Sequence, residues 1–142
     1  MKKFVTNSEN ETIELGKNLA EKLHGGTVVA FFGGLGMGKT AFTRGMAKAL
    51  CVKEQVSSPT FAIVNDYGGN PPLYHFDMYR VESWEDLYSS GFFDYYESGG
   101  ILAVEWSENI ENALPENTVR VTFERGEADN QRIITIDGVY EI

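Results

Sequence analysis

Cysteine is nearly absent from this 142-residue chain: Cys51 stands alone, which excludes an internal disulfide and a thiolate metal site. Long apolar runs are missing too. Stretches such as Thr27 to Phe32 and Ile101 to Val104 fall far short of the roughly 20 residues a membrane span needs. Lys2 and Lys3 open the chain with no apolar region behind them, so no signal peptide is expected. Basic residues are lacking between Arg80 and Arg120, where nine acids fall: Glu82, Glu85, Asp86, Asp94, Glu97, Glu105, Glu108, Glu111 and Glu116. That stretch alone matches the net charge of −9. A surface of this sign repels phosphate backbones, which disfavours extensive direct contact with nucleic acid. It is either a solvated acidic face or a docking face for a basic protein partner. No internal repeat, linker or low-complexity stretch interrupts the chain.

What remains is globular in composition, with 42% hydrophobic and 23% charged residues. The length fits one domain over residues 1–142, soluble and cytoplasmic. Ser8-Glu9-Asn10-Glu11 has the spacing of a capping box. Behind it Ile13, Gly16, Leu19, Ala20 and Leu23 recur at helical spacing, and Gly25-Gly26 closes that helix. Thr27 to Phe32 reads as a strand buried on both faces. A glycine loop and a helix over Lys39 to Leu50 follow. Phe61 to Tyr67 and Leu73 to Tyr79 read as strands flanking the turn residues Gly-Gly-Asn-Pro-Pro. Ser83 opens a short acidic helix that Gly91 closes, and the aromatic stretch Phe92 to Tyr96 has no clear assignment. Ile101 to Glu105 is a second buried-type strand, followed by a short helix from Ser107 towards Leu114. Thr118 to Phe123 and Arg132 to Ile136 make a last strand pair. This alternation predicts an α/β fold, a three-layer domain with a mixed sheet.

The chemistry concentrates in Gly33-Gly34-Leu35-Gly36-Met37-Gly38-Lys39-Thr40, which matches G-x-x-x-x-G-K-[ST]. The motif leaves a buried strand and opens a helix, as its chemistry requires. Glycines let backbone N–H groups turn inward around phosphate oxygens. The helix N-terminus adds unpaired donors and the positive end of its dipole. Lys39 is then placed for the β- and γ-phosphates, and the Thr40 hydroxyl for Mg²⁺. The expected ligand is a nucleoside triphosphate, and the expected three-layer mixed-sheet fold is P-loop NTPase-like.

Such a site also needs acids for Mg²⁺ and water. Asp77 and Glu105 each end an apolar strand, and ligands gather at the carboxyl ends of strands in α/β sheets. Spacing leaves open which acid binds metal and which orients water. Ser57-Ser58-Pro59-Thr60 lies where GTPases place a first switch, with a threonine that senses the γ-phosphate; read locally, it is a hydroxyl-rich turn before a strand. No N-K-x-D sequence for guanine is present, and Asp66-Tyr67-Gly68-Gly69 falls in the hairpin turn. Adenine is therefore the expected base. His75 reads as a strand histidine with a satisfied hydrogen bond rather than a base. His24 suits a helix end, and Cys51 has no histidine arrangement of a nucleophile. Phe92, Phe93, Tyr95 and Tyr96 suit core filling or a partner interface.

Taken in order, Gly33 to Thr40, Ser57-Ser58-Pro59-Thr60-Phe61, Tyr74-His75-Phe76-Asp77-Met78-Tyr79-Arg80 and Val104-Glu105-Trp106-Ser107 resemble the TsaE (YjeE) family. Its members are P-loop ATPases of bacterial tRNA threonylcarbamoyladenosine biosynthesis. The resemblance spans about Ser8 to Arg132 and implies ATP and Mg²⁺ as cofactors. It implies a metal set of Thr40 and Glu105, and a catalytic set of Lys39, Asp77, Glu105 and Thr60. The nucleotide set it implies is Glu9, Gly33, Gly36, Met37, Gly38, Lys39, Thr40, Ala41 and Arg132. Gly34 stands where the family usually has an acid; Met37 replaces a common alanine and Ala41 a hydroxyl residue. The implied partners are the TsaD and TsaB proteins, with tRNA reached only through them. The acidic segment Glu82 to Glu116 is the docking face expected for that role. A small-molecule P-loop kinase and a non-hydrolysing, nucleotide-gated assembly factor are the alternatives; a lid with arginines, which a kinase needs, does not fit the base-free stretch after Arg80.

Overall fold

Seven strands form one sheet in the order β1-β7-β6-β2-β5-β4-β3. The computed structural model describes residues 1–34, 36–53, 55–56 and 63–139. The strands are β1 (Lys2–Thr6), β2 (Val28–Phe32), β3 (Val64–Gly69), β4 (Pro72–Asp77), β5 (Ile101–Glu105), β6 (Val119–Arg125) and β7 (Arg132–Asp137). Helices α1 (Glu9–Ala20), α2 (Lys39–Ala49), α3 (Trp84–Ser89) and α4 (Phe92–Glu97) lie between them, with a 3-10 helix over Ser107–Ala113. The two continuous apolar runs, β2 and β5, take central places, where both faces of a strand must be covered. β5 pairs in parallel with β2 and β4, and β2 in parallel with β6. β7, β1 and β3 join antiparallel at the flanks. The expected mixed α/β fold is what the chain adopts.

Strand alternation sorts the core onto two faces. Val29, Phe31, Ile101, Ala103, Val119 and Val121 pack with Leu15, Leu19, Phe42 and Met46 of α1 and α2. Val28, Phe76, Leu102 and Val104 pack with Leu87, Phe92 and Ile110 of the opposite helices. The result is three layers. Phe31, Phe42 and Phe123 lock the first face, with ring centroids 5.5 to 5.7 Å apart and near-perpendicular planes. α1 and α2 touch backbone to backbone. A Cβ on Gly16 would overlap the Phe42 carbonyl oxygen, and one on Gly45 would overlap that of Ile13.

Some expectations need adjusting. α1 ends at Ala20, and the chain continues in tighter turns, Lys22 N–H to Leu19 O and Leu23 N–H to Ala20 O. Gly25 instead sits against Gly99, whose carbonyl oxygen occupies the place of its Cβ. The β3–β4 hairpin forms, but β4 stops at Asp77 because the Tyr79 N–H turns back to the Asp77 side chain at 2.9 Å. The aromatic stretch after Gly91 is helix α4, and Gly91 (φ 84°) is its N-cap. Strand β1 was not anticipated. Among the described residues no helix is long and apolar enough to cross a membrane.

Candidate functional site

Topology gathers the chemistry at one edge. β2, β4, β5 and β6 all run the same way, so Gly33, Asp77 and Glu105 emerge together at their carboxyl ends. Thr6, at the end of β1, pairs with Arg132, the first residue of β7, at the same edge. Ser8 then caps α1: its Oγ accepts the Glu11 N–H at 3.1 Å, while Glu11 Oε1 accepts the Asn7 N–H at 3.0 Å. This reciprocal cap brings Glu9 to the site.

The resulting cleft, about 380 Å³, is lined by Ser8, Glu9, Thr12, Gly36, Met37, Gly38, Lys39, Thr40, Ala41, Arg44, Glu105, Asn130 and Arg132. The loop reaches α2 through Gly36 (φ 73°) and Gly38 (φ 97°), backbone states that side chains rarely adopt. Gly33 (φ 127°) is pressed against the Phe123 carbonyl of β6. It therefore contributes a carbonyl rather than a wall: Lys39 Nζ donates to Gly33 O at 2.5 Å. The Lys39 ammonium also lies 5.8 Å from the Trp106 ring centroid. Lys39 is 7% exposed and, among the described residues, no carboxylate pairs with it. Among the described residues this buried cation is held by a carbonyl and a ring, neither of which compensates its charge. That donor set fits an incoming polyanion, and the N-terminus of the 11-residue α2 adds to it.

Glu105 lines the same cleft from the end of β5, with its side chain 13% exposed. Its Oε2 accepts from His75 Nε2 at 2.6 Å. With Thr40, which lines the same cleft, it offers the oxygen ligands a hard divalent cation prefers. His75, fully buried, is the satisfied strand histidine expected, and its partner is the site acid itself. Arg132 donates from Nη1 to the carbonyls of Asp129 (2.6 Å) and Gln131 (2.9 Å), and from Nη2 to Gly36 O at 3.2 Å. It thereby ties the loop tip to β7.

Among the residues expected at the site, Glu9, Gly36, Met37, Gly38, Lys39, Thr40, Ala41, Glu105 and Arg132 line this cleft. Asp77 does not. It pairs in register with Glu105 on the neighbouring strand, but one oxygen holds the Tyr79 N–H. Thr60, with Ser57-Ser58-Pro59 and Phe61, lies outside the described residues. Thr12, Arg44 and Asn130 were missed. Arg44 sits four residues after Thr40, on the same helix face, so helical spacing could have found it. Asn130, on the β6–β7 loop, carries no such signal.

A family model described as "Threonylcarbamoyl adenosine biosynthesis protein TsaE" matches residues 6–134. The tRNA threonylcarbamoyladenosine biosynthesis protein TsaE of Treponema pallidum is 37% identical over 132 residues, covering 93% of this chain and 97% of that protein. The protein of the same name from Bacillus subtilis is 39% identical over 139 residues, covering 96% and 85%. The crystal structure of Bacillus subtilis YdiB superposes with a TM-score of 0.77 at 33% identity, over 95% of this chain and 83% of that one. Family model and relatives alike span nearly the whole chain, glycine loop and sheet included, and the chain belongs to the TsaE family.

Proposed function

We propose that this protein is a Mg²⁺-dependent ATPase of tRNA threonylcarbamoyladenosine biosynthesis, which docks on the TsaD–TsaB transferase pair in the cytoplasm and supports its repeated turnover. One observation carries the reading: Gly36, Met37, Gly38, Lys39 and Thr40 of the glycine loop share one cleft with Glu105 at the carboxyl edge of the sheet, and among the described residues no carboxylate pairs with Lys39. In this reading the loop amides and Lys39 bind the triphosphate, and Thr40 with Glu105 holds Mg²⁺. When bound, the metal neutralises charge on the β- and γ-phosphate oxygens. Lys39 exchanges the Gly33 carbonyl for phosphate oxygen, so its hydrogen bond is replaced rather than lost. Arg132 fixes the loop so that its amides keep their aim. Asp77 supplies the second carboxylate, beside Glu105 and one strand further out, where it orients or deprotonates water.

A kinase reading is weaker, because the two arginines at the cleft are tied down and not carried on a lid. Arg44 meets Glu9 at 3.1 Å, and Arg132 holds three carbonyls. The nucleotide-gated assembly reading draws support from the position of Asp77 off the cleft. Product analysis separates the three. The ATPase yields ADP and inorganic phosphate, a kinase yields a phosphorylated small molecule, and an assembly factor yields neither while still binding ATP.

Docking is assigned to the α3–α4 face. Trp84 and Tyr88 are 53% and 66% exposed; the Trp84 ring lies parallel to Phe93 at 6.5 Å between centroids, and Tyr88 is tilted against Phe93 at 4.9 Å. Exposed Glu85, Asp94 and Glu97 rim them, which suits a basic partner surface with cations for the rings. Asp86 is a poor probe, since its Oδ2 accepts the Glu82 N–H and its own N–H is capped by Ser83. Glu85→Lys with Asp94→Lys tests the face. Loss of TsaD–TsaB binding supports it, and unchanged binding removes it.

A further inference from the structure

Glu105 is one end of a hydrogen-bonded chain that crosses three strands. Asn65 Nδ2–H donates to the Tyr67 hydroxyl at 3.2 Å, both on β3. The Tyr67 hydroxyl and His75 Nδ1 of β4 are 3.3 Å apart, and His75 Nε2 lies 2.6 Å from Glu105 Oε2 on β5. In one direction every donor meets an acceptor: the tyrosine O–H points at Nδ1, leaving Nε2–H for the carboxylate. His75 is fully buried and Tyr67 is 7% exposed. A polar chain in such a place costs desolvation unless each member is satisfied. Core filling alone would be met by an apolar side chain, as Leu73 and Phe76 meet it on the same strand.

From this geometry we infer that His75 is a positioning residue for the Mg²⁺–nucleotide complex, acting through Glu105, with Tyr67 fixing its ring. The inference rests on the reading above that Glu105 holds the metal. A glutamate on a strand end has three side-chain torsions and, unless held, can turn either oxygen to the cleft. The Nε2–H bond engages Oε2 and fixes the carboxylate plane, so that Oε1 is the oxygen left for a ligand. Partners of this kind orient metal-binding groups, and their loss costs roughly 10- to 100-fold in metal affinity.

The test measures ATP affinity twice for each protein, with Mg²⁺ and with chelator, and takes the ratio as the Mg²⁺-dependent gain. His75→Leu keeps the bulk and removes the donor. His75→Gln places an amide N–H near the position of Nε2–H. The expected result is a gain about 10-fold smaller in His75→Leu, restored largely in His75→Gln, with metal-free ATP affinity unchanged in both. Thermal melts check folding. If His75→Leu does not fold, Tyr67→Phe, which removes one oxygen, carries the test with a smaller gain expected. A wild-type gain that survives His75→Leu, or Tyr67→Phe in its place, overturns the inference and leaves the Glu105 reading standing. No Mg²⁺-dependent gain in the wild type overturns both.

Discussion

The Arg44 guanidinium meets the Glu9 carboxylate at 3.1 Å, joining the first turn of α1 to α2 at the rim of the cleft that Lys39 lines. Both side chains are well exposed, so the pair contributes only about 0–1 kcal/mol to stability. Its consequence is geometric: it holds the entrance of α1 over the glycine loop. Glu9→Ala is expected to leave the melting temperature nearly unchanged and to weaken ATP binding by about 3- to 10-fold, the loss of one polar contact. Calorimetric titration beside a thermal melt checks both parts.

Gly45 tests the helix contact underneath. Alanine favours a helix interior over glycine by about 1 kcal/mol. Here, however, the added methyl would overlap the Ile13 carbonyl, which is backbone and cannot swing away. Overpacking of this kind costs about 1–3 kcal/mol or more, so Gly45→Ala is expected to destabilise by about 1–2 kcal/mol net. Denaturant unfolding gives the sign, and a stabilised variant would contradict the packing.

Asp77 has two jobs that one substitution separates. Asparagine can still accept the Tyr79 N–H but carries no charge. If the carboxylate serves hydrolysis, Asp77→Asn lowers phosphate release about 100-fold or more, with ATP affinity within about 3-fold. An unchanged rate would reduce Asp77 to a turn residue.

Arg132→Lys keeps the charge and loses the fork. Three carbonyl bonds then fall to fewer, and the loop tip at Gly36 is freed. ATP affinity is expected to fall about 3- to 10-fold, while Glu124→Ala, an exposed change on the neighbouring strand, has no effect.

The parts of the fold most legible in sequence were those fixed by local physics. The apolar runs of β2 and β5 need cover on both faces, and the loop glycines need their φ. The Ser8 and Ser83 caps were readable for the same reason. Tertiary effects hid the rest. β1 is five residues, two of them lysine, and its strand state depends on pairing with β7. The aromatics of α4 favour strands by propensity, yet the Gly91 cap and the packing of Phe92 on Phe76 make them helical. At the site, the glycine loop, Glu105 and Asp77 were visible as motif and strand ends. The histidine was read correctly as satisfied, but its partner depended on the β4–β5 register, which no local pattern encodes.

The central claim is tested most directly by phosphate release from Mg²⁺–ATP, measured with and without the TsaD–TsaB pair, with Lys39→Ala as the blank. Release that the partners stimulate, and that the variant lacks in both conditions, is the predicted result. ATP binding with no release in either condition, or release that persists in Lys39→Ala, would contradict it.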